Sequence, residues 1–139
     1  MKIERFTDLR VWQHAPKLTL LIYKLTETFP SSERFGMISQ VRRSAMAVPA
    51  NIAEGFGRRT TRELLRSMQI ARGDLEETRY FLILSRDLGH IKAPDFERAT
   101  AACDDVGKMI NALGTSLKSR LLGSKDAQRS TNSATENIH

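Results

Sequence analysis

The sequence is poor in the residues that usually announce chemistry. Cys103 is the only cysteine among 139 residues, so a disulfide framework is excluded and the chain reads as suited to a reducing cytoplasm. Cys103 also falls on an apolar helical stripe, where a thiol is a small buried hydrophobe and not a nucleophile. The histidines are His14, His90 and His139, and none has a partner at the helical spacing of a metal site. Asp104 and Asp105 are adjacent, point about 100° apart on a helix, and so form no carboxylate pair by themselves. Phe56-Gly57-Arg58 has too few glycines to cradle a phosphate, and no strand precedes it. Met1–Arg10 is mixed and charged, unlike a secretory signal, and no apolar run approaches the roughly 20 residues of a membrane span. These absences point away from catalytic residues, a metal, a cofactor, a small-molecule substrate or a membrane.

What is present is positive charge, unevenly placed. The net charge is +6, and the segment Arg34–Arg72 holds eight arginines (34, 42, 43, 58, 59, 62, 66 and 72) against Glu54 and Glu63. That segment carries the whole excess, since the remaining fourteen basic and fourteen acidic residues cancel. A guanidinium grips phosphate or carboxylate with two parallel hydrogen bonds, so the exclusive use of arginine favours an acidic partner over mere solubility. Arg62 and Arg66 share one face of a helix beside Arg58 and Arg59. Arg72, Arg79 and Arg86 flank the core stripe of the same helix, and Glu76 is placed to pair within that row.

Apolar residues recur at spacings of three and four in four blocks, the period of a helix with one buried stripe. Val11, Ala15, Leu18, Ile22, Leu25 and Phe29 form the first, with Asp8 as its N-cap and Pro16 inside it. Ile38, Val41, Ala45, Val48 and Ile52 form the second. The third, Leu64, Met68, Ala71, Leu75, Thr78, Leu82 and Ser85, opens on a Thr60-x-x-Glu63 capping box and closes on Gly89. The fourth runs Phe96, Ala99, Cys103, Val106, Ile110, Leu113 and Leu117, with Pro94 in its first turn. Four such helices joined by short links bury their stripes only against one another. The expected fold is all-α, an antiparallel up-and-down four-helix bundle over residues 9–121, with a lead-in at 1–8 and a disordered polar tail at 122–139.

Two stretches depart from the simple two-faced helix. Pro49 lacks an N–H and should free the carbonyl of Ala45, with Asn51 and Glu54 close enough to serve it or a group across the bundle. Gly55 and Gly57 then supply left-handed conformations to end that helix. Tyr80-Phe81-Leu82-Ile83-Leu84 is apolar all the way round, so either the monomer wraps it unusually well or a second subunit covers it, and the second reading makes Tyr80, Phe81, Ile83 and Leu84 the expected contact between subunits.

Several runs match a known family. Phe6-x-Asp8-Leu9-x-Val11-Trp12-Gln13, Phe35-Gly36, Gln40-Val41-Arg42-Arg43-Ser44, Val48-Pro49-x-Asn51-Ile52-Ala53-Glu54-Gly55-Phe56-Gly57-Arg58 and Ala71-Arg72-Gly73-x-Leu75-x-Glu77 make up the match. Together they resemble the bacterial four-helix bundle proteins first noticed as products of intervening sequences in large-subunit ribosomal RNA genes. The accessory variability determinant of diversity-generating retroelements is similar. The resemblance spans about residues 6–121 and implies a barrel-shaped homopentamer with a basic surface. It implies nucleic-acid binding without enzymatic activity and, by analogy with the accessory determinant, RNA and a reverse transcriptase as partners. Read with the charge map, it makes Arg42, Arg43, Arg58, Arg59, Arg62 and Arg66 the candidate phosphate contacts. The alternative on the same charge is a scaffold that grips an acidic protein.

Overall fold

The computed structural model describes the backbone of residues 5–136 and the side chains of residues 5–123. A 3-10 turn at Phe6–Asp8 leads into α1 (Arg10–Thr26). After a second 3-10 turn and one wide helical turn at Arg34–Ile38 come α2 (Ser39–Gly57), α3 (Thr61–Asp87) and α4 (Ala93–Glu136). The result is an all-α four-helix bundle, with no strand among the described residues. Each helix packs on its neighbours in the chain, and α4 closes the ring against α1. Contacts run in opposite residue order along consecutive helices. Thr19 meets Ala45 while Arg42 meets Thr26, Gly55 faces Ser67 while Ser44 meets Thr78, and Gly107 lies by Leu75 while Arg86 covers Phe96.

The stripes read from the sequence form the core. Val11, Ala15, Leu18, Ile22, Val41, Ala45, Val48, Ile52, Met68, Ala71, Leu75, Leu82, Ala99, Cys103, Val106, Ile110 and Leu117 are all buried, while Leu64, Phe96 and Leu113 flank them half-buried. Burying a side chain of this kind contributes about 1.5–3 kcal/mol, so the periodicity carries most of the fold's stability. Trp12, one position off its stripe, is half-buried with its ring edge-on to Phe6 at 4.9 Å.

The helix ends differ from expectation in several places. Asp8 does not cap α1; it sits inside the 3-10 turn, where its carboxylate accepts from the Arg5 N–H at 3.1 Å, and extended Leu9 takes the N-cap position. Thr60 caps α3 by accepting from the Glu63 N–H at 3.1 Å, and Gly89 adopts the left-handed φ of 77° that closes it. At the end of α2 the left-handed residue is Arg59, with φ 63°, and not Gly55 or Gly57. Gly55 is buried within α2, and a Cβ there would collide with the Cβ and Oγ of Ser67 on α3. Its role is close approach of two helices, which the sequence cannot separate from chain termination because both require glycine. α4 continues past Leu121 to Glu136 through the stretch expected to be a disordered tail. Residues 137–139, with His139, lie outside the described residues.

Pro49 is where the fold resolves a local deficit by a long-range contact. α2 continues through it. The Ala45 carbonyl that lost its donor accepts instead from the hydroxyl of Thr19 on α1, at 3.0 Å. Neither Asn51 nor Glu54 serves that carbonyl. Asn51 reaches across to α3, its amide donating to Asp74 Oδ2 at 2.7 Å, and Glu54 faces solvent with Arg58 at 3.2 Å. Burial pushes the Asp74 carboxyl above the usual carboxylate range, and the Asn51 amide offsets part of this.

The Thr19 hydroxyl is therefore the expected stability determinant of the proline turn. Thr19→Val keeps the shape and leaves the Ala45 carbonyl buried without a donor, which should cost about 1–3 kcal/mol in urea unfolding. Thr19→Ser should restore most of that loss, and Glu54→Ala should cost under about 0.5 kcal/mol.

Candidate nucleic-acid interface

The arginines of the charged segment are sorted by the fold into those with internal partners and those without. Arg42 is occupied. Its Nε donates to Thr26 Oγ1 at 2.8 Å, a terminal nitrogen donates to the Tyr23 carbonyl at 3.2 Å, and its guanidinium lies 4.4 Å from the Tyr23 ring centre. It serves one carbonyl and one hydroxyl of the last turn of α1, the place where a cation best complements a helix end. Arg43 bonds to Gln40 at 3.1 Å and forms an ion pair with Glu77 of α3. Arg42 thereby serves the packing of α2 on α1, whereas Arg43 lies on an exposed face where its ion pair is solvated. Arg58 pairs with Glu54 where both side chains are more than 60% exposed, too solvated to hold it back from a stronger anion.

Arg59, Arg62 and Arg66 are exposed around the α2–α3 turn and have no partner among the described residues. Arg59 holds a conformation that a residue with a Cβ adopts at a cost. It lines a cleft of about 400 Å³ with Arg120 of α4 across from it. Phe56, Leu64 and Leu117 provide the apolar wall, and Thr60 and Thr61 the hydroxyls. Arg120 lies outside the arginine-rich segment, and only the packing of α4 under the α2–α3 turn brings it there. Arg66 lines a separate, smaller cleft of about 240 Å³ in which Glu54 and Glu63 offset the charges of Arg58 and Arg66.

The row on α3 divides in the same way. Arg79 pairs with Glu76, at 3.3 Å, and with Asp104 of α4, and it covers Gly107. Arg86 contacts Asp87 at 3.1 Å and stacks on Phe96, its guanidinium 4.6 Å from the ring centre. Arg72 does not share Glu76, contrary to its expected internal pairing. It is exposed at the rim of two small clefts between α3 and α4, near Lys108 and Lys118, without a partner among the described residues. Under Arg79, Cys103 is fully buried; burial pushes its thiol up to about 12, and nearby Arg79 opposes that only in part. No group of three or more His, Cys, Asp or Glu residues able to hold a metal occurs among the described residues. No helix there is long and apolar enough to cross a membrane.

The apolar segment of α3 is only half available. Phe81 and Leu84 pack on the monomer's own core, whereas Tyr80 is 58% and Ile83 41% exposed. Leu20 on α1, Met46 on α2 and Ile70 on α3 are further exposed apolar residues. Phe35 is 87% exposed at the opposite end of α2 from the arginine turn, with Arg34 against its ring.

This division gives different expected costs along one helix. Arg79→Ala should lower stability by about 1–2 kcal/mol, through lost pairing with Asp104 and lost cover over Gly107. Arg72→Ala should change it by under about 0.5 kcal/mol. Thermal unfolding of the two variants measures the difference.

Comparison with known proteins agrees with this architecture. A crystal structure of a protein with unknown function from the S23 ribosomal protein family of Bacteroides thetaiotaomicron is similar, with a TM-score of 0.70. It shares 21% sequence identity, and the match covers 76% of this chain and 95% of that one. No curated protein matches the sequence. Residues 7–112 match the family described as 23S rRNA-intervening sequence protein. That span takes in the proline turn, the arginines around the α2–α3 turn and most of the four-helix core, and the chain belongs to the 23S rRNA-intervening sequence protein family.

Proposed function

We propose that this protein is a non-enzymatic, homo-oligomeric bundle that binds the phosphate backbone of nucleic acid. The observation that carries the reading is the run of exposed arginines without internal partners, Arg59, Arg62 and Arg66, in a fold that engages Arg42, Arg43, Arg79 and Arg86 elsewhere. Among the described residues Arg59 and Arg62 have no carboxylate partner, and Arg66 holds no ion pair although Glu54 and Glu63 share its cleft, so the turn keeps a local positive potential, which attracts polyanions and gains by releasing their counterions. Membership of a family named for a ribosomal RNA intervening sequence favours RNA as the polyanion. By resemblance to the accessory variability determinant, a reverse transcriptase bound to that RNA is a further partner. We place the protein in the cytoplasm.

Self-association rests on a separate feature, the exposed apolar side chains Tyr80 and Ile83 beside core-packed Phe81 and Leu84. A pentamer would repeat the arginine turn five times, so weak contacts at each copy would add along one nucleic acid.

Binding of a fluorescent RNA should weaken linearly in log Kd against log salt, with a slope of about 0.7–0.9 per phosphate contacted. Arg59→Glu, Arg62→Glu and Arg66→Glu combined should reduce affinity at least about tenfold without changing the assembly mass. If the triple variant bound RNA like the parent at equal ionic strength, the phosphate-binding role would be wrong and an acidic protein partner would replace it.

Light scattering should give a multiple of the 15.7 kDa chain mass. Ile83→Glu should dissociate the assembly with helicity kept, whereas Leu84→Glu should unfold the bundle because its side chain packs on the core. A parent that is monomeric at micromolar concentration would overturn the assembly.

A further inference from the structure

We infer that the cleft between the α2–α3 turn and α4 takes an unpaired nucleotide, its base against the apolar wall and its phosphate between Arg59 and Arg120; this rests on the nucleic-acid reading above. The lining has the two kinds of surface that a nucleotide has. Phe56, Leu64 and Leu117 give an aromatic and aliphatic wall, and the charged lining is Arg59 and Arg120 with no carboxylate. In the neighbouring cleft two glutamates cancel two arginines, so an anion has less reason to settle there. The volume of about 400 Å³ lies within the roughly 300–1,000 Å³ of pockets that hold small organic groups.

Duplex RNA fits this cleft poorly. A helix of paired bases offers sugars, phosphates and base edges but keeps its base faces stacked inside, so the apolar wall would stay unused. An unpaired base, splayed out of a loop or an end, brings a π face to Phe56 and the leucines, and the Thr60 and Thr61 hydroxyls can meet its polar edge or ribose. The backbone adds an independent observation. Arg59 is the only residue other than glycine with positive φ among the described residues, and glycine would fill that position without strain. The fold retains an arginine where chain geometry favours glycine, and the one feature that this residue presents is a guanidinium at the rim of the cleft.

The test compares three probes of equal phosphate number at one ionic strength: an adenine oligoribonucleotide of about 24 nucleotides, its fully abasic counterpart, and a blunt duplex of about 12 base pairs. The single strand should bind at least fivefold tighter than either of the others. Arg120→Gln, on an exposed helical face, should bring the single strand down to the level of the duplex while weakening the duplex by under about twofold. Arg59→Gly should weaken single-strand binding while raising Tm, a combination that a purely structural arginine would not produce. If the single strand, the abasic strand and the duplex all bound equally, the nucleotide cleft would be wrong while phosphate binding stood. If none of them bound, both readings would fall together.

Discussion

The close approach of α2 to α3 is the constraint on which the rest of the molecule depends. Gly55 has no side chain because Ser67 occupies the space a Cβ would need. One end of the pair is thereby pulled together, and the contacts that follow along it are polar as well as apolar. Asn51 bonds Asp74 at 2.7 Å, Thr78 bonds Ser44 at 2.8 Å, and Arg43 pairs with Glu77. These paired contacts favour one register of the two helices, because a slip of one turn would separate Asn51 from Asp74 and leave the Ser44 and Thr78 hydroxyls only the Val41 and Asp74 carbonyls of their own helices. With α2 and α3 held in this way, the turn between them is short and fixed, and its arginines protrude at the end of the bundle.

The same economy of partners explains which charges remain outside. Arginine is costly to leave buried and unpaired, and three arginines that pack against α1 or α4 find an acceptor or a ring: Tyr23 and Thr26 for Arg42, Asp104 for Arg79, Phe96 for Arg86. Around the α2–α3 turn no such partner approaches, and Arg59, Arg62 and Arg66 face water. The positive surface is thus what remains after packing has used the rest. It is narrower than the arginine-rich segment and gains Arg120 from a distant part of the chain.

Proline 49 shows how a local irregularity becomes a tertiary bond. A proline in a helix leaves a carbonyl without its donor wherever the helix lies. The nearest polar residues in sequence, Asn51 and Glu54, are one turn away, but on faces directed to α3 and to solvent. The donor comes from Thr19, 26 residues earlier, whose hydroxyl lies against the same buried carbonyl because α1 packs there. The proline thereby ties α1 to α2 at a point where both stripes are already buried.

The sequence by itself determined the number of helices, their stripes and nearly every core residue, since a repeat of three and four positions has one cheap solution when four such segments share a chain. It also located the excess charge, and the turn where that charge concentrates. Side-chain partners between helices were not legible, because a residue's spacing states which way it points and not what waits opposite. Thr19, Arg120 and the free state of Arg72 fall in this class, as do the core-packed positions of Phe81 and Leu84. Gly55 yields its expected left-handed role to Arg59 for the same reason: glycine serves both a tight turn and a tight contact, and only the presence of Ser67 across the gap decides between them.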